Sequence, residues 1–104
     1  MVESVMVDAV RYRVEQDSEI IVVNGQECGA CVNYDGALIR IRDPVTLGVG
    51  AQAKTLMHEI VHAILFERGR REDAENEDLI DAVASGFVNL VRQNPDLIEF
   101  IKAT

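Results

Sequence analysis

The chain has 104 residues, of which 48% are apolar, 10 are basic and 18 are acidic. This length suits one domain, residues 1–104, with a modest core. The net charge of −8 repels phosphate backbones and anionic lipids, so neither nucleic acid nor a membrane is expected as a partner. Glu3 and Asp8 stand where a signal peptide would be basic, and no apolar run is long enough to span a membrane. We therefore expect a cytoplasmic protein whose cysteines stay reduced.

Short-period patterns in the first part of the chain predict strands. Val10, Tyr12 and Val14 alternate with polar residues, which is typical of a half-buried strand. Three further strands are predicted, each followed by a turn signal: residues 20–23 before Asn24-Gly25, residues 27–33 before Asp35-Gly36, and Leu38–Arg42 before Asp43-Pro44. The short connections between them favour an antiparallel meander.

The second half of the chain has a helical period. A helix over residues 49–66, ended by Gly69, is predicted from one apolar stripe: Ala53, Leu56, Met57, Ile60, Ile64 and Leu65. A second helix over residues 77–92 is predicted from another: Leu79, Ile80, Val83, Ala84, Phe87, Leu90 and Val91. A short closing helix through Ile101 is predicted to start at Asn94-Pro95-Asp96, with Asn94 as the N-cap.

This order of elements predicts an α+β domain. We expect a small antiparallel sheet of about four strands, followed by two long helices and a short C-terminal helix. The helices pack on one face of the sheet.

The first long helix contains the pattern H-E-x-x-H at His58, Glu59 and His62. Four residues advance a helix by slightly more than one turn, so both imidazoles project from one face. Two neutral imidazoles at this spacing can bind one Zn²⁺, which lowers the pKa of a bound water. Glu59 is then placed to act as the general base for that metal-activated water. The competing interpretation is two ordinary surface histidines, but these are the only histidines in the chain.

A third ligand is expected at the start of the second helix, where the acidic residues are concentrated. Glu77 lies 15 positions after His62, which leaves room for an antiparallel helix and a His₂Glu site with one open position. Asp81, one turn later, is placed to accept a hydrogen bond from a ligating histidine. Three other carboxylates remain alternatives to Glu77 as the ligand: Asp73, Glu75 and Asp78.

The pair of segments containing His58-Glu59-Ile60-Val61-His62 and Asn76-Glu77-Asp78-Leu79-Ile80-Asp81 resembles the gluzincin zinc metallopeptidases. The resemblance implies zinc bound by the two histidines and Glu77, Glu59 as general base and Asp81 as support. The small size and the layout are similar to minimal ImmA/IrrE-like and phage-borne members. Larger members also use a Tyr or His to stabilise the oxyanion, and Tyr34 is the candidate here.

Two weaker patterns remain. Cys28 and Cys31 have the C-x-x-C spacing of half a zinc knuckle or a redox pair, but without a second pair we predict small buried thiols in a strand. The segment Leu38, Ile39, Arg40 and Ile41 precedes the metal helix. By resemblance it is either the edge strand on which an extended substrate pairs, or an ordinary sheet strand.

The sequence thus predicts a zinc-dependent metallopeptidase that hydrolyses a peptide bond in a protein substrate. The alternative is a zinc-stabilised protein-interaction module without significant catalysis. A metal-free regulatory domain is a third hypothesis.

Overall fold

The structure is a computed structural model and describes residues 2–18, 21–23, 26–43 and 49–104. In these residues, six strands come first and four helices follow: β1 (Ser4–Val7), β2 (Val10–Asp17), β3 (Ile21–Val23), β4 (Gln26–Cys28), β5 (Ala30–Asn33), β6 (Leu38–Arg42), α1 (Val49–Glu67), α2 (Arg71–Ala74), α3 (Glu77–Gln93) and α4 (Pro95–Ala103). The predicted α+β class is confirmed.

The main sheet is mixed rather than a purely antiparallel meander. Its strand order is β1-β2-β6-β5. β1 and β5 pair antiparallel with their neighbours, whereas the central β2 and β6 run parallel. β1, which the sequence patterns did not indicate, forms a hairpin with β2. The separate β3–β4 pair and β5 lie between β2 and β6 in the chain. This long connection allows β6 to run parallel to β2.

The buried face of the sheet explains why β6 lies in its interior. Tyr12 and Val14 on β2 and Ile39 and Ile41 on β6 point to the same core, and Ile39 and Ile41 are fully buried. The alternation predicted for β2 is therefore confirmed. A strand with two such residues gains most when neighbours shield it on both sides. β5, whose residues are half-buried or exposed, occupies the edge.

The strand predicted over residues 27–33 is two strands. A bend at Gly29 separates β4 from β5, and the two belong to different sheets. The turn after β5 is confirmed: the Gly36 N–H donates to the Asn33 side chain at 3.0 Å, and the Ala37 N–H donates to the Tyr34 carbonyl at 3.2 Å. The Asn24-Gly25 turn, Ile20 and Pro44 lie outside the described residues.

Helix α1 has two apolar faces, because it packs between the sheet and α3. Ala63, with Leu56, Ile60 and Ile64, joins the sheet core. Val61, with Met57 and Leu65, packs against α3. Ala53, predicted on the single stripe, is exposed. The surface of α1 between these two apolar faces carries polar residues.

Polar contacts fix both ends of α1 to the sheet. The Gln52 amide donates to the Gln16 side chain at 3.1 Å and to the Arg42 carbonyl at 3.3 Å. Near the other end, the buried Tyr12 hydroxyl donates to the Glu67 carboxylate at 2.8 Å. Because these contacts join separate elements, they hold α1 in one position over the sheet.

The carboxyl end of α1 has the glycine stop that the sequence predicts. Gly69 has a φ of +77°, and its N–H donates to the Phe66 carbonyl at 3.0 Å. The Arg70 N–H donates to the Leu65 carbonyl at 2.8 Å. These two bonds form a Schellman motif, which satisfies carbonyls that the helix leaves without partners. The chain then reverses toward α2 and α3.

Helix α3 is buried on one face only. Ile80, Ala84 and Val88 are buried, and the first two face α1. Other residues of the predicted apolar stripe are between 38% and 46% exposed: Leu79, Val83, Phe87 and Leu90. The predicted stripe therefore lies only partly in the core, because α1 covers one face of α3.

The closing helix α4 forms where it is predicted, with Asn94 at its N-cap position and Pro95 after it. The Asn94 side chain makes no bond to the first turn of α4. Its amide instead donates to the Leu90 carbonyl at 3.0 Å, at the end of α3. None of the described helices has both the length and the apolar character needed to cross a membrane.

Candidate metal centre

The two histidines of the H-E-x-x-H pattern lie in the strip of α1 between its apolar faces. His58 and His62 are one turn apart, and their rings meet edge to face with centroids 4.9 Å apart. Their Nε2 atoms are 3.2 Å apart. The helical period alone brings these two atoms together.

The connection after α1 brings three acceptor groups to these rings. The Glu77 carboxylate, in the first turn of α3, lies 2.8 Å from His58 Nε2 and 3.0 Å from His62 Nε2. Asp81 lies 2.6 Å from His58 Nδ1. The Ala74 carbonyl, at the end of α2, lies 2.5 Å from His62 Nδ1. Every ring nitrogen of the pair thus faces an oxygen that accepts hydrogen bonds.

The contacts at the two Nδ1 atoms suit N–H donors. Asp81 and the Ala74 carbonyl are both acceptors, so a neutral ring with its hydrogen on Nδ1 satisfies each contact and leaves a lone pair on Nε2. In that tautomer the two Nε2 lone pairs and the Glu77 carboxylate are directed toward one point. A positive charge at this point would be attracted by all three groups.

The spacing of these atoms could hold a divalent cation. Ligand atoms at ~2.0–2.1 Å from a tetrahedral ion are about 3.3 Å apart, close to the 2.8–3.2 Å observed here. The two nitrogens and one carboxylate oxygen are the donor set of a catalytic zinc site.

Glu77 is the carboxylate that the fold brings to the histidines. His58, His62 and Glu77 each offer a ligand atom within 4.8 Å of the others. The alternatives do not belong to this converging set: Asp73 pairs with Arg70, and Glu75 lines the same cavity as His62 without reaching the two ring nitrogens. The Glu77 side chain is 63% exposed, so the point of convergence opens to solvent.

Glu59 is buried beside this point. Burial raises the pKa of its carboxyl to about 7, His58 opposes the rise, and Glu77 adds to it. A carboxyl whose pKa lies near neutrality both accepts and releases protons readily. Glu59 is not part of the converging set, so it would stand next to an ion held there without ligating it.

Two cavities meet at Glu59 and Ala30 and together form a cleft along β5. The His58-side cavity, of about 290 Å³, extends toward the start of β5. The His62-side cavity, of about 320 Å³, extends toward Tyr34. The converging His58, His62 and Glu77 side chains line this cleft.

Tyr34 forms part of the wall of the His62-side cavity. Its ring stacks flat on Phe66, with centroids 4.1 Å apart, which fixes its orientation. Burial and the nearby charges of Glu59, Glu75 and Glu77 raise the pKa of the Tyr34 hydroxyl. The phenol therefore keeps its proton and can donate it in a hydrogen bond.

The sequence leaves two alternatives for Leu38, Ile39, Arg40 and Ile41, an edge strand and an ordinary sheet strand, and the structure shows the second. They lie in β6, which is paired on both sides, with β2 and with β5. The edge that faces the cleft is β5, which in the described residues pairs only with β6. Residues 27–33 are predicted as one strand, and that prediction does not include the bend at Gly29 that separates β5 from β4.

Both cysteines line the His62-side cavity. They are thiols rather than a disulfide, and they are half-buried on two different strands instead of fully buried on one. Burial raises the pKa of the Cys31 thiol, which makes it a weaker ligand and nucleophile. Neither belongs to the converging set of ligand atoms.

Two contributors to the site were not predicted. The Ala74 carbonyl holds His62, but a backbone carbonyl has no counterpart in the residue pattern. Asn76 caps α3, because its side chain accepts from the Leu79 N–H at 3.2 Å, and it thereby fixes Glu77 at the first position of the helix. An Asn directly before a helical stripe was a usable signal for this cap.

Comparisons with protein-family models, with curated proteins and with solved structures find no match to this chain.

The contact between Asp81 and His58 Nδ1 gives a direct test of the centre. The Asp81 charge orients the His58 ring and makes it a better zinc ligand. Replacing Asp81 by Asn removes this charge, so zinc affinity should fall by about 10–100-fold. The affinity is measured by competition with a chromophoric chelator. Asp78→Asn makes the same change in the same turn, away from the histidines, and should leave affinity unchanged. Equal effects of the two variants would contradict the role of Asp81.

Proposed function

We propose that the chain is a zinc-dependent peptidase that hydrolyses a peptide bond in a protein or peptide substrate. The observation that carries this proposal is the convergence of His58 Nε2, His62 Nε2 and the Glu77 carboxylate, while each Nδ1 atom faces a different acceptor. His58, His62 and Glu77 would hold the ion. When bound, it would supply a positive charge that lowers the pKa of water and polarises the scissile carbonyl.

The proton transfers fall to Glu59. Its carboxylate accepts a proton from the attacking water, while the remaining hydroxyl forms a bond to the carbonyl carbon. The same carboxyl then delivers the proton to the departing amine as the C–N bond breaks. Glu59 suits this task because it is buried where the two cavities meet. Tyr34, whose phenol stays protonated, donates a hydrogen bond to the developing oxyanion.

The substrate lies along the outer edge of β5. An edge strand presents backbone groups that an extended peptide can pair with, and the cleft follows this edge from Gly29 to Tyr34. Antiparallel pairing is slightly more stable per residue than parallel pairing. The amino side of such a substrate lies at the Tyr34 end, and its carboxyl side lies at the Gly29 end. The reducing, cytoplasmic location expected from the sequence remains part of the proposal.

A zinc-stabilised interaction module is the second candidate. The ligand set joins α1 to α3, so a bound ion stabilises the fold whether or not catalysis occurs. Such a module retains zinc but has no turnover.

Metal analysis combined with a cleavage assay separates these candidates. Protein produced in metal-replete medium should contain about one zinc per chain and should cut a diverse peptide pool, read by mass spectrometry of new termini. Stoichiometric zinc without any cleavage favours the interaction module. The absence of zinc contradicts both candidates and returns the metal-free regulatory domain to consideration.

A further inference from the structure

The two ends of the cleft differ in charge. Lys54, Thr55 and Ser85 line the His58-side cavity, beyond His58. Glu75 lines the His62-side cavity, whose described lining contains no lysine or arginine. The proposed hydrolytic centre lies between them.

Lys54 is a cation without a carboxylate partner in the described part of the chain. It lies on α1 one turn before His58, so the two side chains are neighbours on the helix surface. Other cations pair with acids, as Arg68 does with Asp8 and Arg70 with Asp73. In a chain with 18 acidic and only 10 basic residues, an exposed lysine in a cavity is available to a ligand. The hydroxyls of Thr55 and Ser85 line the same space and can hydrogen-bond a carboxylate.

The size of this cavity suits a side chain. Small residues line it beside Lys54, namely Gly29, Ala30 and Ala84, and leave about 290 Å³. Asp81 also lines it, but that carboxylate is bonded to His58 Nδ1. The remaining cation and hydroxyls therefore favour an Asp or Glu side chain.

The opposite end favours a positive charge. Glu75 is exposed, and within the described residues no cation pairs with its side chain. The nearby guanidinium of Arg71 lies over the Phe66 ring, 4.7 Å from its centroid. Arg71 lines an adjoining hollow together with Asp35, not the cavity that contains Glu75.

We propose that the cleft selects substrates by charge polarity, with a basic side chain at Glu75 and an acidic side chain at Lys54. This inference rests on the proposed peptidase function and names its substrate class: an extended segment that is basic before the scissile bond and acidic after it. The order follows from antiparallel pairing along β5. Each contact is an exposed ion pair and contributes modestly to binding. A substrate with the basic residue first forms both ion pairs, whereas a substrate with the reverse order of charges places like charges together at both ends of the cleft.

The test measures peptide binding to the zinc-loaded Glu59→Gln variant, which holds substrate without cutting it. Two peptides of about ten residues and identical composition are compared by calorimetry at low salt. One has arginines in its amino-terminal half and glutamates in its carboxyl-terminal half, and the other has the reverse order. The first should bind about tenfold more tightly, and added salt should reduce the difference.

A charge swap provides the decisive comparison. In the Lys54→Glu/Glu75→Lys background the preference should reverse. The matched control, Lys102→Glu/Glu99→Lys, makes the same changes at an ion pair on α4 and should leave the preference unchanged. Two results would contradict the proposed charge selection without contradicting the peptidase proposal. One is equal binding of the two peptides, and the other is a preference that the Lys54→Glu/Glu75→Lys swap does not reverse. If neither peptide binds the zinc-loaded protein, the peptidase proposal fails and the polarity with it.

Discussion

The Glu59→Gln variant is expected to bind zinc normally and to lose peptide hydrolysis by about 10²–10⁴-fold. The amide has nearly the shape of the carboxyl but cannot accept the proton of the attacking water. Because Glu59 does not belong to the converging ligand set, its replacement leaves the coordinating atoms in place. The measurements are zinc content and the rate of cleavage of one peptide identified from the pool.

The stability of this variant is informative as well. Burial is the main cause of the raised pKa of Glu59, which means that its charged form is disfavoured in the fold. A neutral amide at the same position should therefore leave the melting temperature unchanged or raise it. A loss of activity then cannot be attributed to unfolding.

A Glu→Gln change outside the cleft serves as the control. Glu72, exposed on α2, should tolerate the replacement with full activity. If Glu59→Gln keeps full hydrolysis, another group is the base and the proposed proton transfer is wrong. If it loses zinc, Glu59 holds the ion and the assignment of ligands is wrong.

The parts of the site that the sequence predicts are those set by local geometry. His58 and His62 meet because a helix repeats every 3.6 residues, and this requires no knowledge of the sheet. Glu77 and Asp81 share a face of α3 for the same reason. The connection between α1 and α3 is short, so α3 must lie alongside α1. This brings Glu77 and Asp81 close to the histidines.

The parts that were missed depend on contacts between distant segments. The parallel pairing of β2 with β6 joins strands separated by three others in the chain, and local turn signals say nothing about it. The edge position of β5 follows from that pairing, which is why the sequence leaves open whether Leu38–Arg42 is an edge strand or an interior one. The Ala74 carbonyl reaches His62 only because α2 is placed by the Schellman motif at Gly69.

The exposed stripe of α3 shows a different limit. An apolar period identifies which residues share a face, but not whether the fold has enough elements to cover that face. Leu79, Val83 and Phe87 have the spacing of core residues, yet they are 38–46% exposed. The number of helices available to pack against them, rather than their own pattern, determines their burial.

Removing the third ligand is expected to have the largest effect on stability. With zinc present at about a thousand times its dissociation constant, a site that binds only the folded state adds roughly 4 kcal/mol. In a domain of this size that corresponds to a rise in melting temperature on the order of 15 °C or more. Glu77→Ala should lose most of this rise, whereas its metal-free melting temperature should be close to that of the unmodified protein.

The reason is that Glu77 connects two elements through the ion. His58 and His62 both lie on α1, so an ion held by them alone adds no link between helices. Glu77 lies on α3, and its participation converts the ion into a bridge across the α1–α3 contact. Losing the carboxylate therefore lowers affinity and removes that bridge at the same time, while the apolar contact of Val61 with Ile80 and Ala84 remains.

Asp78→Ala is the matched control, because it removes a neighbouring carboxylate from the same helical turn. The two variants lose equal charge and differ only in whether the residue faces the histidines. Melting curves with zinc and with a chelator should show a large zinc-dependent rise for Asp78→Ala and a small one for Glu77→Ala. A full rise in Glu77→Ala would show that another carboxylate completes the site, and Glu75→Ala in the same background would then test the nearest one.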